Sequence, residues 1–117
     1  MSHNLSELFN EKNKMIVNGK IVEASEKFYA RNTKTIDFTG TITNNKTEHT
    51  ETMKNFVGSI AKVNRIVLLK TAVGEDVTFA EFIFDFDMKD GSNIYWHEIL
   101  VSTWANGLIV EEQYFKG

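Results

Sequence analysis

The chain has 117 residues, a net charge of −3 and no cysteine. That length suits a single domain, 1–117, whose core folds without a metal or disulfide staple, and the missing thiols exclude disulfides, cysteine nucleophiles and cysteine-based zinc sites. Hydrophobic residues make up 42% and charged residues 25%, which excludes a disordered polar chain.

A first helix is expected from Asn4 to Val17, where Leu5, Leu8, Phe9, Lys12, Met15 and Ile16 form one stripe at helical spacing. Asn18-Gly19 is its stop. A second helix is expected over Lys20–Ala30, with Ile21, Ala24, Phe28 and Tyr29 apolar. The segment TKTIDFTGTIT then turns β-rich, and Asn44-Asn45 breaks it. A third helix is expected over Thr47–Ala61, capped by Thr47 or Thr50, with Met53, Phe56, Val57 and Ile60 on its apolar side.

After KVNRIVLLKTAVG come three strand candidates, DVTFAEFIFDFDM, NIYWHEILVSTW and LIVEEQYFKG, joined by the hairpin signals KDG and ANG. Helices followed by a run of strands indicate an α+β class. Loop length decides which side chains share a face, because a slip of one residue turns every side chain over. Three-residue loops put Phe82, Phe84 and Phe86 with Trp96, Leu100 and Trp104, and add Val110 and Tyr114. Two-residue loops separate the phenylalanines from the tryptophans. Each large apolar side chain gains roughly 1.5–3 kcal/mol on burial, so three-residue loops are preferred. Glu98 then opposes Tyr114, Leu100 opposes Glu112, and the two carboxylates are diagonal neighbours on an apolar face. A carboxylate there requires either a water-containing cavity or an internal partner, such as Tyr114 or a tryptophan N–H for Glu98.

NGKIVEASEKFYARNTKTIDFTGT, and a meander closing with W-x-N-G-x-I-V-E in STWANGLIVEEQYF, resemble the nuclear transport factor 2-like superfamily in its SnoaL-like branch. The resemblance spans nearly the whole chain. It implies a cystatin-like, cone-shaped fold, with three N-terminal helices on a strongly curved antiparallel sheet and a pocket between them. It also implies a homodimer through the outer sheet face, where Ile83, Tyr95, Ile99, Val101, Ile109 and Phe115 would otherwise meet water. Counting eight residues past Tyr29 puts Asp37 where isomerase-like members carry their base. The second acid of such members aligns with Leu100, which cannot donate a proton. Glu98, two residues away on the same face, is its substitute. The first helix lacks the tyrosine that isomerases use as an oxyanion donor.

Asp37, Glu98 and Glu112 are therefore the candidate catalytic carboxylates, and nearby buried carboxylates cannot all ionise cheaply. Tyr29, Phe56, Phe82, Phe84, Trp96, Leu100, Trp104 and Tyr114 are the candidate ligand-binding residues. His97 is expected on the outer face. His49, in KTEHTET, is expected at a solvated helix end rather than in a metal site. His3 near the terminus is uninformative. No metal or cofactor is expected, for there is no nucleotide-binding loop and no serine elbow. Lys54, Lys62, Arg65 and Lys70 are scattered, which argues against nucleic acid. MSHNLSELFNEKNKM lacks a signal-peptide pattern, and no apolar run approaches the roughly 20 residues of a membrane helix. The expectation is a cytoplasmic, non-membrane protein. Three functions fit: binding of a small apolar or aromatic molecule, cofactor-independent acid–base catalysis, or a protein-interaction module with a vestigial pocket.

Overall fold

A computed structural model describes residues 4–117, so His3 lies outside the described residues. The first helix, α1, is Leu5–Val17, capped by Asn4, whose side-chain oxygen accepts from the Ser6 amide at 2.8 Å. It stops where Gly19 takes a φ of 81°, a conformation that only glycine reaches without strain. The second helix, α2, is Ile21–Phe28, three residues shorter than the expected Lys20–Ala30. Tyr29 is already extended (φ −98°, ψ 135°) because it pairs with Ile109 in the sheet. Burial of both Phe28 and Tyr29 fits a change of element as well as it fits a helix stripe.

Strand β1, Tyr29–Ile36, forms a short hairpin with β2, Ile42–Thr43. The third helix, α3, is Lys46–Gly58. Its cap is Asn45 and not Thr47 or Thr50: the Asn45 side chain accepts from the Glu48 amide at 2.8 Å, and Glu48 Oε1 accepts from the Asn44 amide at 3.1 Å. The helix also ends earlier than expected, since Ile60 pairs with Met88 and opens strand β3, Ile60–Val73. Strands β4, Val77–Met88, β5, Asn93–Ala105, and β6, Leu108–Lys116, complete one sheet in the order β2-β1-β6-β5-β4-β3. The sheet is mixed rather than wholly antiparallel, because β1 runs parallel to β6.

The first hairpin has the expected three-residue loop. Met88 N–H donates to the Ser92 carbonyl at 2.8 Å, and Phe84 faces Trp96. The second hairpin differs. Asn106 and Gly107, with φ 53° and 80°, make a two-residue turn that pairs Ala105 with Leu108. A bulge follows, and the register shifts between Thr103 and Trp104, leaving Val110 as the extra residue. Glu98 therefore opposes Lys116, Leu100 opposes Tyr114, and Ser102 opposes Glu112. The expected pairings of Glu98 with Tyr114 and of Leu100 with Glu112 are corrected by two positions on β6. Ile109, expected outside, is fully buried in the core, and Val110, expected inside, is only half-buried.

The core lies between the inner sheet face and the helices, around Phe9, Phe28, Phe82, Phe86 and Ile109. Trp104 meets Phe28 edge-on, with ring centroids 6.2 Å apart, and its Nε1–H donates to the Thr78 hydroxyl at 2.9 Å. On the outer face Phe79, Tyr95 and Phe115 are exposed, and His97 pairs with Glu81 at 2.6 Å. No helix among the described residues is long and apolar enough to cross a membrane.

Candidate functional site

A cavity of about 350 Å³ opens between α1, α2 and α3 and the inner face of β4, β5 and β6. This is within the size range of small-molecule sites. Most of its wall is apolar: Ile16, Ile21, Met53, Phe56, Phe84, Phe86, Trp96 and Leu100. Phe56 stacks on Trp96 with centroids 5.3 Å apart, and Phe38 meets Trp96 edge-on at 5.6 Å. Of the candidates named from sequence, Tyr29, Asp37, Phe56, Phe84, Trp96, Glu98, Leu100 and Tyr114 are on the wall. Phe82, Trp104 and Glu112 are buried in the core behind it.

Glu112 is the hub of a polar network. Lys12 Nζ lies 3.1 Å from its Oε2, the Ser102 hydroxyl donates to the same oxygen at 2.5 Å, and the Tyr29 hydroxyl donates to Oε1. Burial raises the Glu112 pKa, but the Lys12 ammonium and the hydrogen bonds from Ser102 and Tyr29 outweigh it and hold the carboxyl below its ordinary range. Burial, and then the Glu112 charge, push the phenols of Tyr29 and Tyr114 well up, so both stay neutral. With its lone pairs occupied, Glu112 fixes its neighbours in place.

Glu98 is different. It projects from β5 between Trp96 and Leu100 and is 7% exposed, and its carboxyl has no hydrogen-bond partner among the described residues. Burial, followed by the charges of Glu112 and Asp37, pushes its pKa up to about 7. A carboxyl so placed is both a proton donor and a proton acceptor near neutral pH.

Asp37 lies in the turn between β1 and β2. One of its oxygens accepts from the Thr39 amide at 2.9 Å, the Thr39 hydroxyl at 2.6 Å and the Thr41 amide at 3.0 Å. Partial burial raises its pKa, but these bonds prevail and hold it below the ordinary value. It therefore stays ionised, with much of its hydrogen-bonding capacity spent on the turn.

His49 corrects the sequence reading. It is 2% exposed, on the cavity wall, with its ring centroid 4.5 Å from that of Tyr29. The start of α3 packs on α2, where the hydroxyls of Thr50 and Ser25 lie 3.2 Å apart and Lys46 Nζ donates to the Glu26 carbonyl at 2.5 Å. That contact carries the first turn of α3 inside. Burial, chiefly, lowers the His49 pKa, with Lys12 adding to the effect and Glu112 opposing it. The spacing His49, Met53, Phe56 continues the apolar stripe back by one turn and is the signal for its burial. Lys12 was the other functional residue missed. Its signal was a lysine inside the apolar stripe of α1.

No family model matches the chain, and no curated protein matches it by sequence. Solved structures do. The chain is similar to a protein from Mesorhizobium loti provisionally described as a SnoaL-like polyketide cyclase, at 19% identity, covering 97% of this chain and 99% of that one, with a TM-score of 0.86. It is similar to an NTF2-like protein of unknown function from Burkholderia pseudomallei at 11% identity, with coverages of 98% and 92% and a TM-score of 0.79. A hypothetical protein with a ketosteroid isomerase-like fold from Catenulispora acidiphila, in complex with trimethylamine, matches at 11% identity, with coverages of 100% and 88% and a TM-score of 0.75. At such identities the likeness speaks for the fold alone, and the fold of this chain is the one these structures share.

Proposed function

We propose that the chain binds a small, largely apolar or aromatic molecule in the cavity, with Glu98 as its polar anchor. One observation carries this reading: a nearly buried carboxyl on an apolar wall with no partner among the described residues. Such a group costs the empty fold stability, and a ligand that hydrogen-bonds it recovers that cost. The trimethylamine held by the Catenulispora acidiphila protein supports small organic molecules as occupants of this architecture. The ligand wall would be Tyr29, Phe56, Phe84, Trp96, Leu100 and Tyr114, with Phe82 and Trp104 packed behind it.

A second reading is favoured by the Glu98 pKa of about 7. It is cofactor-independent proton transfer, such as an isomerisation, cyclisation or dehydration. Glu98 would exchange the proton, the Asp37 charge would bias it, and Glu112 would hold Tyr29 and Lys12 in position. In both readings the chain is one SnoaL-like domain, cone-shaped around the cavity. The apolar residues on the outer sheet face support a homodimer, and the cysteine-free sequence supports the cytoplasm.

A thermal-shift screen of small neutral metabolites on wild type and Glu98→Gln tests the proposal. A compound that raises the Tm of wild type, and raises that of the variant less, supports it. If no compound acts on either protein while Glu98→Gln alone raises the Tm, the binding reading fails and Glu98 is a buried cost of the fold.

A further inference from the structure

The cavity holds a second polar side chain without a partner. His49 on α3 lines the wall and is 2% exposed, and its ring makes no hydrogen bond to a described residue. It belongs to a different part of the cavity from Glu98. The charges acting on His49 are those of Glu112 and Lys12, whereas those acting on Glu98 are Glu112 and Asp37.

The chemistry around His49 is rich in donors. Lys12 also lines the cavity; its ammonium has three N–H groups, and the contact with Glu112 Oε2 at 3.1 Å occupies one. Glu112, the acceptor nearby, already takes bonds from Lys12, Ser102 and Tyr29 and is itself off the wall. Burial keeps the imidazole neutral, so one ring nitrogen carries a hydrogen and is free to donate. Donors that face a cavity with unspent N–H groups call for an acceptor. A carboxylate would meet the repulsion of Glu112 as well as the attraction of Lys12, whereas a carbonyl oxygen brings acceptor lone pairs with no net charge.

We propose that the Lys12–His49 end of the cavity is a carbonyl-recognition site, in which the imidazole N–H and the lysine ammonium hydrogen-bond one carbonyl oxygen of an otherwise apolar ligand. The ligand is thereby oriented, carbonyl toward α1 and α3, with its remaining polar group toward Glu98. This rests on the small-molecule reading above and adds the class of ligand.

The test uses acetophenone and ethylbenzene, which share a shape but differ by a carbonyl in place of a methylene. Binding is followed by tryptophan fluorescence, since Trp96 is on the wall, and by the ¹⁵N resonances of the His49 ring. In a purely apolar cavity ethylbenzene binds tighter, because the ketone must shed its water without compensation. Wild type is expected to bind acetophenone at least as tightly as ethylbenzene. His49→Phe is expected to swing that preference toward ethylbenzene by roughly tenfold, and further than Glu98→Gln does. Acetophenone, and not ethylbenzene, should move the His49 ring nitrogens in wild type, a readout that needs no variant to fold.

An unchanged preference in His49→Phe, or ring nitrogens that ignore acetophenone, overturns the carbonyl site while leaving the cavity a binding site. A larger swing in Glu98→Gln than in His49→Phe overturns it too, by moving the carbonyl to Glu98. Failure of both compounds to bind wild type removes the small-molecule reading, and the carbonyl site with it.

Discussion

Lys12 on α1 and Glu112 on β6 meet at 3.1 Å, with side chains 2% and 0% exposed. This contact ties the first helix to the last strand at the inner end of the cavity. Removing one partner of a buried pair leaves an uncompensated charge and costs roughly 3–5 kcal/mol. Lys12→Met should lower the urea-unfolding free energy by that order, and adding Glu112→Leu should recover part of the loss. A single-variant cost below about 1 kcal/mol would mean that water takes the place of the lysine.

Glu98 should give the fold a pH dependence of unusual sign. Its folded pKa of about 7 stands above the ordinary 4.5, so the folded chain binds the proton more tightly than the unfolded chain does. Its effect is neutral below 4.5, and stability is then lost as pH rises through about 7. At about 1.4 kcal/mol per pKa unit the cost at pH 8 is on the order of 3 kcal/mol. Glu98→Gln should therefore be more stable than wild type at about pH 8, by roughly 2–3 kcal/mol, and nearly equal to it at about pH 4. Denaturant titrations at the two pH values decide the matter.

His49 should act in the opposite direction. Its folded pKa is lowered from 6.5 by burial, so its contribution is present above 6.5 and is lost as pH falls below that value. Between pH 4.5 and 6.5 the two groups oppose each other in wild type. His49→Gln should gain stability as pH falls through this window, and Glu98→Gln should lose it. Parallel slopes for the two variants would contradict the assignment.

Trp104 Nε1–H bonds the fully buried Thr78 hydroxyl at 2.9 Å. Trp104→Phe removes that donor and shrinks the ring against Phe28, and should cost roughly 1–3 kcal/mol. Thr78→Val alone should be costly as well, because it strands the indole N–H. The two substitutions should combine for less than their sum in a double-mutant cycle by denaturation.

The β4–β5 hairpin was legible because KDG offered two registers and only one kept Phe84 with Trp96. The ends of α2 and α3 were not, since Tyr29 and Ile60 suit helix or strand equally and only their sheet partners, Ile109 and Met88, decide. Glu98 on an apolar face was readable from alternation alone. The partners of Glu112 were not, because they come from α1, β1 and β5 and depend on where the β6 register breaks. His49 was misread because its polar neighbours in KTEHTET outweighed its spacing to Met53 and Phe56.

The register break at Val110 also sets how β6 tolerates insertion and deletion. Ile109 and Glu112 differ by three positions, yet both are fully buried, which a strand of strict alternation cannot arrange. Deleting Val110 would remove the bulge and leave Ile109 and Glu112 two positions apart, on one face by simple alternation, with Ser102 still opposite Glu112. Deleting Gln113, on the regular stretch that follows, would instead turn Tyr114 away from the cavity wall. In β6, therefore, the loss of one residue is absorbed at the bulge but acts like a frameshift within the fold beyond it.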